Sequence, residues 1–251
     1  MKIIIDGKAC ESAYGEYILD VARRNNIHIP TLCHSDALPG QGNCRLCVVE
    51  VVENHRKKIV TSCVYPITKE IEVITNSDTI KNIRKTILML LSASVSQNKY
   101  INELKEKYGV LNTKRFHVDQ KENCILCGLC VRACEEMGSS VIATVNRGIT
   151  KKISTPYDEP SSECIGCSAC AHVCPTEAIK IEEKDGKRII WNRTFELLKC
   201  SKCGTYFATQ EEFEYINKKL DSNENVFICN KCKKHLNAEK IKDAFKDVVI
   251  K

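Results

Sequence analysis

The sequence predicts an α+β chain of three small modules, each closed around metal by cysteine thiolates. Three observations carry that expectation. Of 17 cysteines in 251 residues, all but Cys10 sort into four sets of four. Short strand and helix patterns fill the stretches between the sets. The longest apolar run, Ile87–Leu91, falls far below the roughly 20 residues a membrane-crossing helix requires, so no membrane span is expected. The opening "MKIIIDGKACES" lacks the apolar core of a secretory signal. The chain therefore reads as cytoplasmic, where thiols stay reduced and clustered cysteines signify metal rather than disulfides.

The formal net charge of +6 counts every cysteine as neutral. A four-cysteine iron–sulfur cluster, or zinc on four thiolates, carries roughly −2 in total, and four such sites bring the balance to about −2. The basicity that would suggest nucleic acid thus largely disappears, and no nucleic-acid partner is expected.

Residues 1–76 form the first module. "KIIID" reads as a strand, "DGK" as a turn, and "YILDVARRNNI" as a short helix burying Ile18, Leu19 and Ala22. "CVVEVV", "KKIVTSC" and "EIEVIT" read as further strands. A hairpin, a helix and then more strands suit a small β-grasp sheet. The segment Cys33–Cys47, with Gly40 and Gly42, would wrap a cluster, because glycines let backbone amides approach the sulfurs. The set Cys33, Cys44, Cys47 and Cys63 has the spacing C-x10-C-x2-C-x15-C, distinct from the plant-type pattern. "PTLCHSDALPGQGNCRLCVVEV" and "TSCVYPI" resemble the amino-terminal [2Fe–2S] domain of the large iron–sulfur subunit of respiratory NADH dehydrogenase. The same domain occurs in the diaphorase of NAD-linked hydrogenases and in many [FeFe]-hydrogenases. The resemblance implies one [2Fe–2S] cluster on these four cysteines.

Residues 77–115 read as a helical linker. Ile80, Ile83, Ile87, Leu90 and Leu91 follow a helical period, and "YINELKEKYG" reads as a second helix ended by Gly109. Many of the resembling proteins carry a [4Fe–4S] site here, held by one histidine and three cysteines. Residues 77–115 contain neither residue type, so that cluster is expected to be absent.

Residues 116–187 contain "CILCGLCVRAC" and "CIGCSACAHVCP", two copies of C-x2-C-x2-C-x3-C, the second followed by Pro175. This spacing lets one loop grip three corners of an iron–sulfur cube, while the fourth cysteine of each run reaches the other cluster. The assignment is Cys124, Cys127, Cys130 and Cys174 to one [4Fe–4S] cluster, and Cys164, Cys167, Cys170 and Cys134 to the other. The long insert "EEMGSSVIATVNRGITKKISTPYDEPSSE" departs from simple two-cluster ferredoxins. Its "VNRG" resembles the ferredoxin-like domain of the same dehydrogenase and hydrogenase families, so the resemblance covers about residues 1–182.

Residues 188–251 form a zinc-ribbon-like or rubredoxin-like module. "CSKCGTYF" and "CNKC" are paired knuckles that place Cys200, Cys203, Cys229 and Cys232 around one ion. Zinc is favoured, with a single rubredoxin-type iron as the alternative, because the aromatic and Gly/Pro-rich loops of a rubredoxin are missing. The tail resembles short zinc-ribbon extensions on iron–sulfur subunits of hydrogenase-like complexes. The helix between the knuckles opens with Thr209 and Glu212 in capping-box spacing and is expected to bury Phe213, Ile216 and Leu220. Removing the tail after about Asp185 is expected to leave the iron–sulfur sites intact. His34 and His172 flank complete cysteine sets and are read as supporting or surface residues, and His235 as a lesser candidate ligand of the tail. Cys10 is read as a small buried hydrophobe, and the basic runs His55–Lys58 and Lys231–Lys234 as solvated faces.

No Gly-rich dinucleotide fingerprint, hydrolytic triad or hydrogenase active-site sequence is present, so no catalytic residue is assigned. The expectation is an electron-transfer subunit of a hetero-oligomeric oxidoreductase of hydrogenase, formate dehydrogenase or aldehyde oxidoreductase type. It would pass single electrons between the catalytic subunit and a flavoprotein that meets NAD(P), or ferredoxin. The alternative is a metal-stabilised binding or scaffold module with a zinc tail and no redox turnover.

Overall fold

A computed structural model describes residues 1–53, 56–111, 123–221 and 226–245. The 115/116 module boundary and His55 of the first basic run lie outside the described residues.

The amino-terminal sheet forms where the pattern of the sequence placed strands. β1 (Lys2–Ile5) and β2 (Lys8–Glu11) are antiparallel, and α1 (Ile18–Arg24) follows. β3 (Val48–Glu53), β4 (Arg56–Thr61) and β5 (Glu72–Ile74) complete five strands in the order β2-β1-β5-β3-β4. The β1–β5 pair is parallel. Asp6 and Gly7 take positive φ at 48° and 82°, the hand a two-residue hairpin turn requires. Ile3 and Ile5 of β1, Val49 and Val51 of β3, and Val73 of β5 bury one face of the sheet against Ile18, Leu19, Val21 and Ala22 of α1. Cys10 lies in this core.

α2 (Asp78–Ser94) and α3 (Lys99–Lys107) follow, capped by the side chains of Ser77 and Asn98, which accept from the amides of Ile80 and Ile101. The face of α2 that turns inward differs from the one expected. Ile80 is buried as the period suggests, but the other buried positions are Leu88, outside the expected set, and Arg84, 1% exposed, while Leu90 is 48% exposed. Arg84 is accommodated because the carbonyls of Leu46 and Val48 accept from its guanidinium. A second core joins Leu32 and Leu46 to Leu88 of α2 and Leu104 of α3.

The cysteine-rich half is built on α4 (Leu129–Met137) and α5 (Ala169–His172), which pack together. The insert between them carries a small antiparallel pair, β6 (Ala143–Val145) and β7 (Lys152–Ser154). β8 (Glu182–Lys184), β9 (Lys187–Ile190), β10 (Arg193–Lys199) and β11 (Tyr206–Thr209) form one sheet in the order β11-β10-β9-β8. This sheet runs without a break across the position where the sequence suggested the tail begins. α6 (Gln210–Lys219) has the expected cap, the Glu212 amide donating to Thr209 Oγ1 at 3.1 Å. Its expected apolar stripe is only partly covered. Phe213 meets the Phe227 ring edge-on at 4.9 Å between centroids, whereas Ile216 is exposed and Leu220 is 70% exposed. α7 (Asn230–Ala244) buries none of its described side chains. Among the described residues, no helix is long and apolar enough to cross a membrane.

Candidate metal centres

Cys33, Cys44, Cys47 and Cys63 converge at one end of the amino-terminal sheet. The Cys44 amide donates to Cys33 Sγ at 3.3 Å, and the Cys47 and Cys63 sulfurs lie 3.3 Å apart. The Cys33 thiol pulls the Cys44 pKa down to about 6, helped by amides of Leu46, Cys33 and Leu32. The Cys63 thiol pulls Cys47 down to about 7 in the same way. Cys33 and Cys63, each sharing a proton with its neighbour, are pushed up. A Cβ on Gly40 would sit 2.6 Å from the Cys63 carbonyl oxygen, so glycine lets the loop close over this site.

The two copies of C-x2-C-x2-C-x3-C fold alike. Leu126 and Gly128 in the first, and Gly166 and Ser168 in the second, take positive φ at matching positions. These left-handed turns curl each loop around its sulfurs, and amides of Leu126, Val141 and Ala178 donate to Cys124, Cys134 and Cys174 at 3.3–3.4 Å. A cavity of about 360 Å³ is lined by Cys124, Cys127, Cys130 and, from the other copy, Cys174. Burial first, then neighbouring sulfurs that include Cys174, push Cys127 and Cys130 up to about 11 and about 12. Burial also raises Cys164, Cys167 and Cys170, and Cys134 contributes at each of the three. The fourth cysteine of each copy thus faces the opposite set.

Residues beyond Asp185 close the second of these sites. Trp191 Nε1–H donates to Cys170 Sγ at 3.5 Å. Arg193 donates to the carbonyls of Ser161, Ser162 and Cys164, and the Thr209 hydroxyl to that of Ile165. The Phe195 ring lies so close to Gly166 that a Cβ there would come within 2.8 Å of it. Trp191, Arg193 and Phe195 were not singled out from the sequence. They follow no metal-ligand spacing, and only the fold brings them to the cysteines.

Cys200, Cys203, Cys229 and Cys232 bring their sulfurs within 4.8 Å of one another, the only such His/Cys/Asp/Glu group among the described residues. Metal–sulfur bonds of about 2.3 Å in a tetrahedral site place the sulfurs roughly that close, so this set fits a single ion. The other three sets of four cysteines spread their sulfurs more widely than this, as polynuclear clusters require. Amides of Cys229, Cys203 and Lys202 pull the Cys200 pKa down to about 6. His235 stands apart, pairing with Glu239 at 3.2 Å. His34 Nε2 meets Asp36 at 3.2 Å, and His172 ends α5.

The first site adjoins the Cys124 site directly. Cys33, Cys127 and Leu129 share one buried cluster, with Cys44 packed against it. Asn43 Nδ2 donates to the Cys127 carbonyl at 3.0 Å. Arg132 of α4 donates to the carbonyls of Cys33, at 3.1 Å, and Pro39.

Comparison with known proteins agrees with this geometry. Residues 1–78 match a 2Fe-2S iron-sulfur cluster binding domain, and residues 117–181 and 163–209 match 4Fe-4S dicluster domains. The chain is therefore an iron–sulfur protein that joins a 2Fe-2S domain to a 4Fe-4S dicluster domain. Its relatives include hydrogenase subunits and the large iron–sulfur subunit of NADH dehydrogenase, which its sequence resembles over the cysteine-rich domains. It is 30% identical over 210 residues to the NADP-reducing hydrogenase subunit HndD of Solidesulfovibrio fructosivorans, covering 71% of this chain and 36% of that one. It is 31% identical over 180 residues to the NADH-ubiquinone oxidoreductase 75 kDa subunit of Reclinomonas americana, covering 62% and 26%. A crystal structure of an NAD+-reducing [NiFe]-hydrogenase in the H2-reduced state aligns with a TM-score of 0.54 and 26% identity, covering 61% of this chain and 74% of that one. The chain thus spans about a third or less of the length of these two curated relatives.

Proposed function

We propose that the protein is a cytoplasmic electron-transfer subunit of a multi-subunit oxidoreductase. Cys33, Cys44, Cys47 and Cys63 hold a [2Fe–2S] cluster. Cys124, Cys127, Cys130 and Cys174 hold one [4Fe–4S] cluster, and Cys164, Cys167, Cys170 and Cys134 the other. Bound there, the clusters supply one-electron chemistry. The chain supplies sulfur ligands, amide and indole donors to those sulfurs, and apolar walls. The observation that carries this reading is the shared buried cluster of Cys33, Cys127 and Leu129, which sets a ligand of the first site against a ligand of the second. A scaffold protein has no need for that adjacency.

Cys200, Cys203, Cys229 and Cys232 hold zinc, which has no second valence to use. The catalytic partner is a hydrogenase, formate dehydrogenase or aldehyde oxidoreductase subunit, and the second partner is a flavoprotein that meets NAD(P), or ferredoxin. Purification of the tagged chain from its own cells under anaerobic conditions is expected to bring down a brown complex containing a subunit with its own catalytic cofactor. The complex should reduce added NAD(P)+ or ferredoxin from the partner's substrate. A colourless chain that purifies with no redox subunit would favour the scaffold reading.

A further inference from the structure

Two buried arginines, from two different helices, hydrogen-bond the cysteine loop of the first site. Arg84 reaches it from α2, with Nε donating to the Leu46 carbonyl at 3.1 Å and Nη2 to the Val48 carbonyl at 2.8 Å, the two residues flanking Cys47. Its remaining contacts are Asn76 Oδ1 at 3.1 Å and the Tyr108 hydroxyl at 3.4 Å. Arg132 reaches the loop from α4, donating to the carbonyls of Cys33 and Pro39. Its Nε is buried with no hydrogen-bond partner. Both side chains are at least 95% buried.

Among the described residues, neither guanidinium is paired with a carboxylate. The nearby Asp6 is engaged elsewhere, accepting from the Thr75 amide at 2.7 Å and from its hydroxyl. A buried charge with only neutral partners is costly unless a counter-charge lies close by. The hydrogen-bonded carbonyls belong to Cys33, Pro39, Leu46 and Val48, so the one region both cations share is the four-cysteine site. A four-thiolate [2Fe–2S] cluster brings about two negative charges there, and one more on reduction.

We propose that Arg84 and Arg132 are positioning residues that set the reduction potential of the [2Fe–2S] cluster upward by placing two poorly screened positive charges against its loop. Each cation stabilises the reduced state more than the oxidised one, because reduction adds an electron and no proton is required. Burial keeps the effect from being lost to salt. This rests on the assignment of that cluster to Cys33, Cys44, Cys47 and Cys63.

The test is an EPR-monitored redox titration of the full chain carrying Arg84→Gln, Arg84→Lys, Arg132→Gln or Arg132→Lys. Each glutamine variant is expected to make the [2Fe–2S] cluster about tenfold harder to reduce, a fall of about 59 mV for a one-electron couple. Each lysine variant should stay within about twofold of the unaltered protein. Arg84→Gln should leave both [4Fe–4S] signals in place, since none of its hydrogen bonds reaches a residue of either [4Fe–4S] site. Where a glutamine variant loads no cluster, the lysine variant at that position decides: a tenfold shift despite the retained charge overturns the proposal. So do glutamine variants whose [2Fe–2S] potential is unchanged. Absence of any [2Fe–2S] signal in the unaltered protein would overturn the cluster assignment together with this inference, whereas a normal signal indifferent to all four substitutions overturns this inference alone.

Discussion

A chain ending after Asp185 is expected to lose the [4Fe–4S] cluster assigned to Cys164, Cys167, Cys170 and Cys134, its iron falling from about ten to about six atoms. The cut removes the Trp191 hydrogen bond to Cys170 and the three carbonyl contacts of Arg193. It also removes the Phe195 ring from over Gly166 and the Thr209 contact with the Ile165 carbonyl. Without them the cluster loop is open to water and to oxidants. Phe195→Ala in the full chain is the milder form of the same lesion. Phe195 is 1% exposed, and truncating a fully buried phenylalanine costs about 3–5 kcal/mol. Anaerobic iron analysis and loss of one cluster's EPR intensity measure both variants. Unchanged iron in the truncated chain would show that the tail is a separable appendage, as the sequence taken alone suggests.

Cys134→Ser is expected to empty the Cys164 site and spare the Cys124 site, although Cys134 follows Cys124, Cys127 and Cys130 directly in the chain. The physical reason is the packing of α4 against α5. It puts Cys174 in the cavity lined by Cys124, Cys127 and Cys130, and leaves Cys134 among the sulfurs of the other run. Anaerobic alkylation followed by peptide mass spectrometry distinguishes the two outcomes. Cys164, Cys167 and Cys170 should become reactive while Cys124, Cys127, Cys130 and Cys174 stay protected. Labelling of the Cys124 group instead would refute the crossed arrangement.

What the sequence made legible was whatever spacing encodes. Cysteine intervals marked out the tail's group of Cys200, Cys203, Cys229 and Cys232, strand alternation the five-stranded sheet, and Thr209 with Glu212 the start of α6. What it hid depended on which elements lie opposite one another. A helical period identifies an apolar face but does not say whether anything covers it. That is why Leu90, Ile216 and Leu220 are more exposed than their positions suggested, and why Arg84 takes a buried place on α2. The tail looked independent because its own four cysteines form a complete set. Its strands nevertheless continue the sheet of β8 and β9, and its side chains hold the Cys164 loop, a relation between residues about 30 apart that no local motif signals. The arginines were legible only as ordinary charges, since nothing in "NIRKT" or "CVRAC" marks a buried guanidinium.

Counting metal and electrons in one anaerobic preparation decides whether the protein is a three-cluster one-electron carrier with a redox-silent tail. About ten irons and one zinc per chain are expected, with the uptake of about three electrons from a low-potential reductant, one for each cluster. About eleven irons without zinc would make the tail a redox-active single-iron site. Four irons or fewer in fully loaded protein, with correspondingly fewer electrons taken up, would rule out a three-cluster carrier.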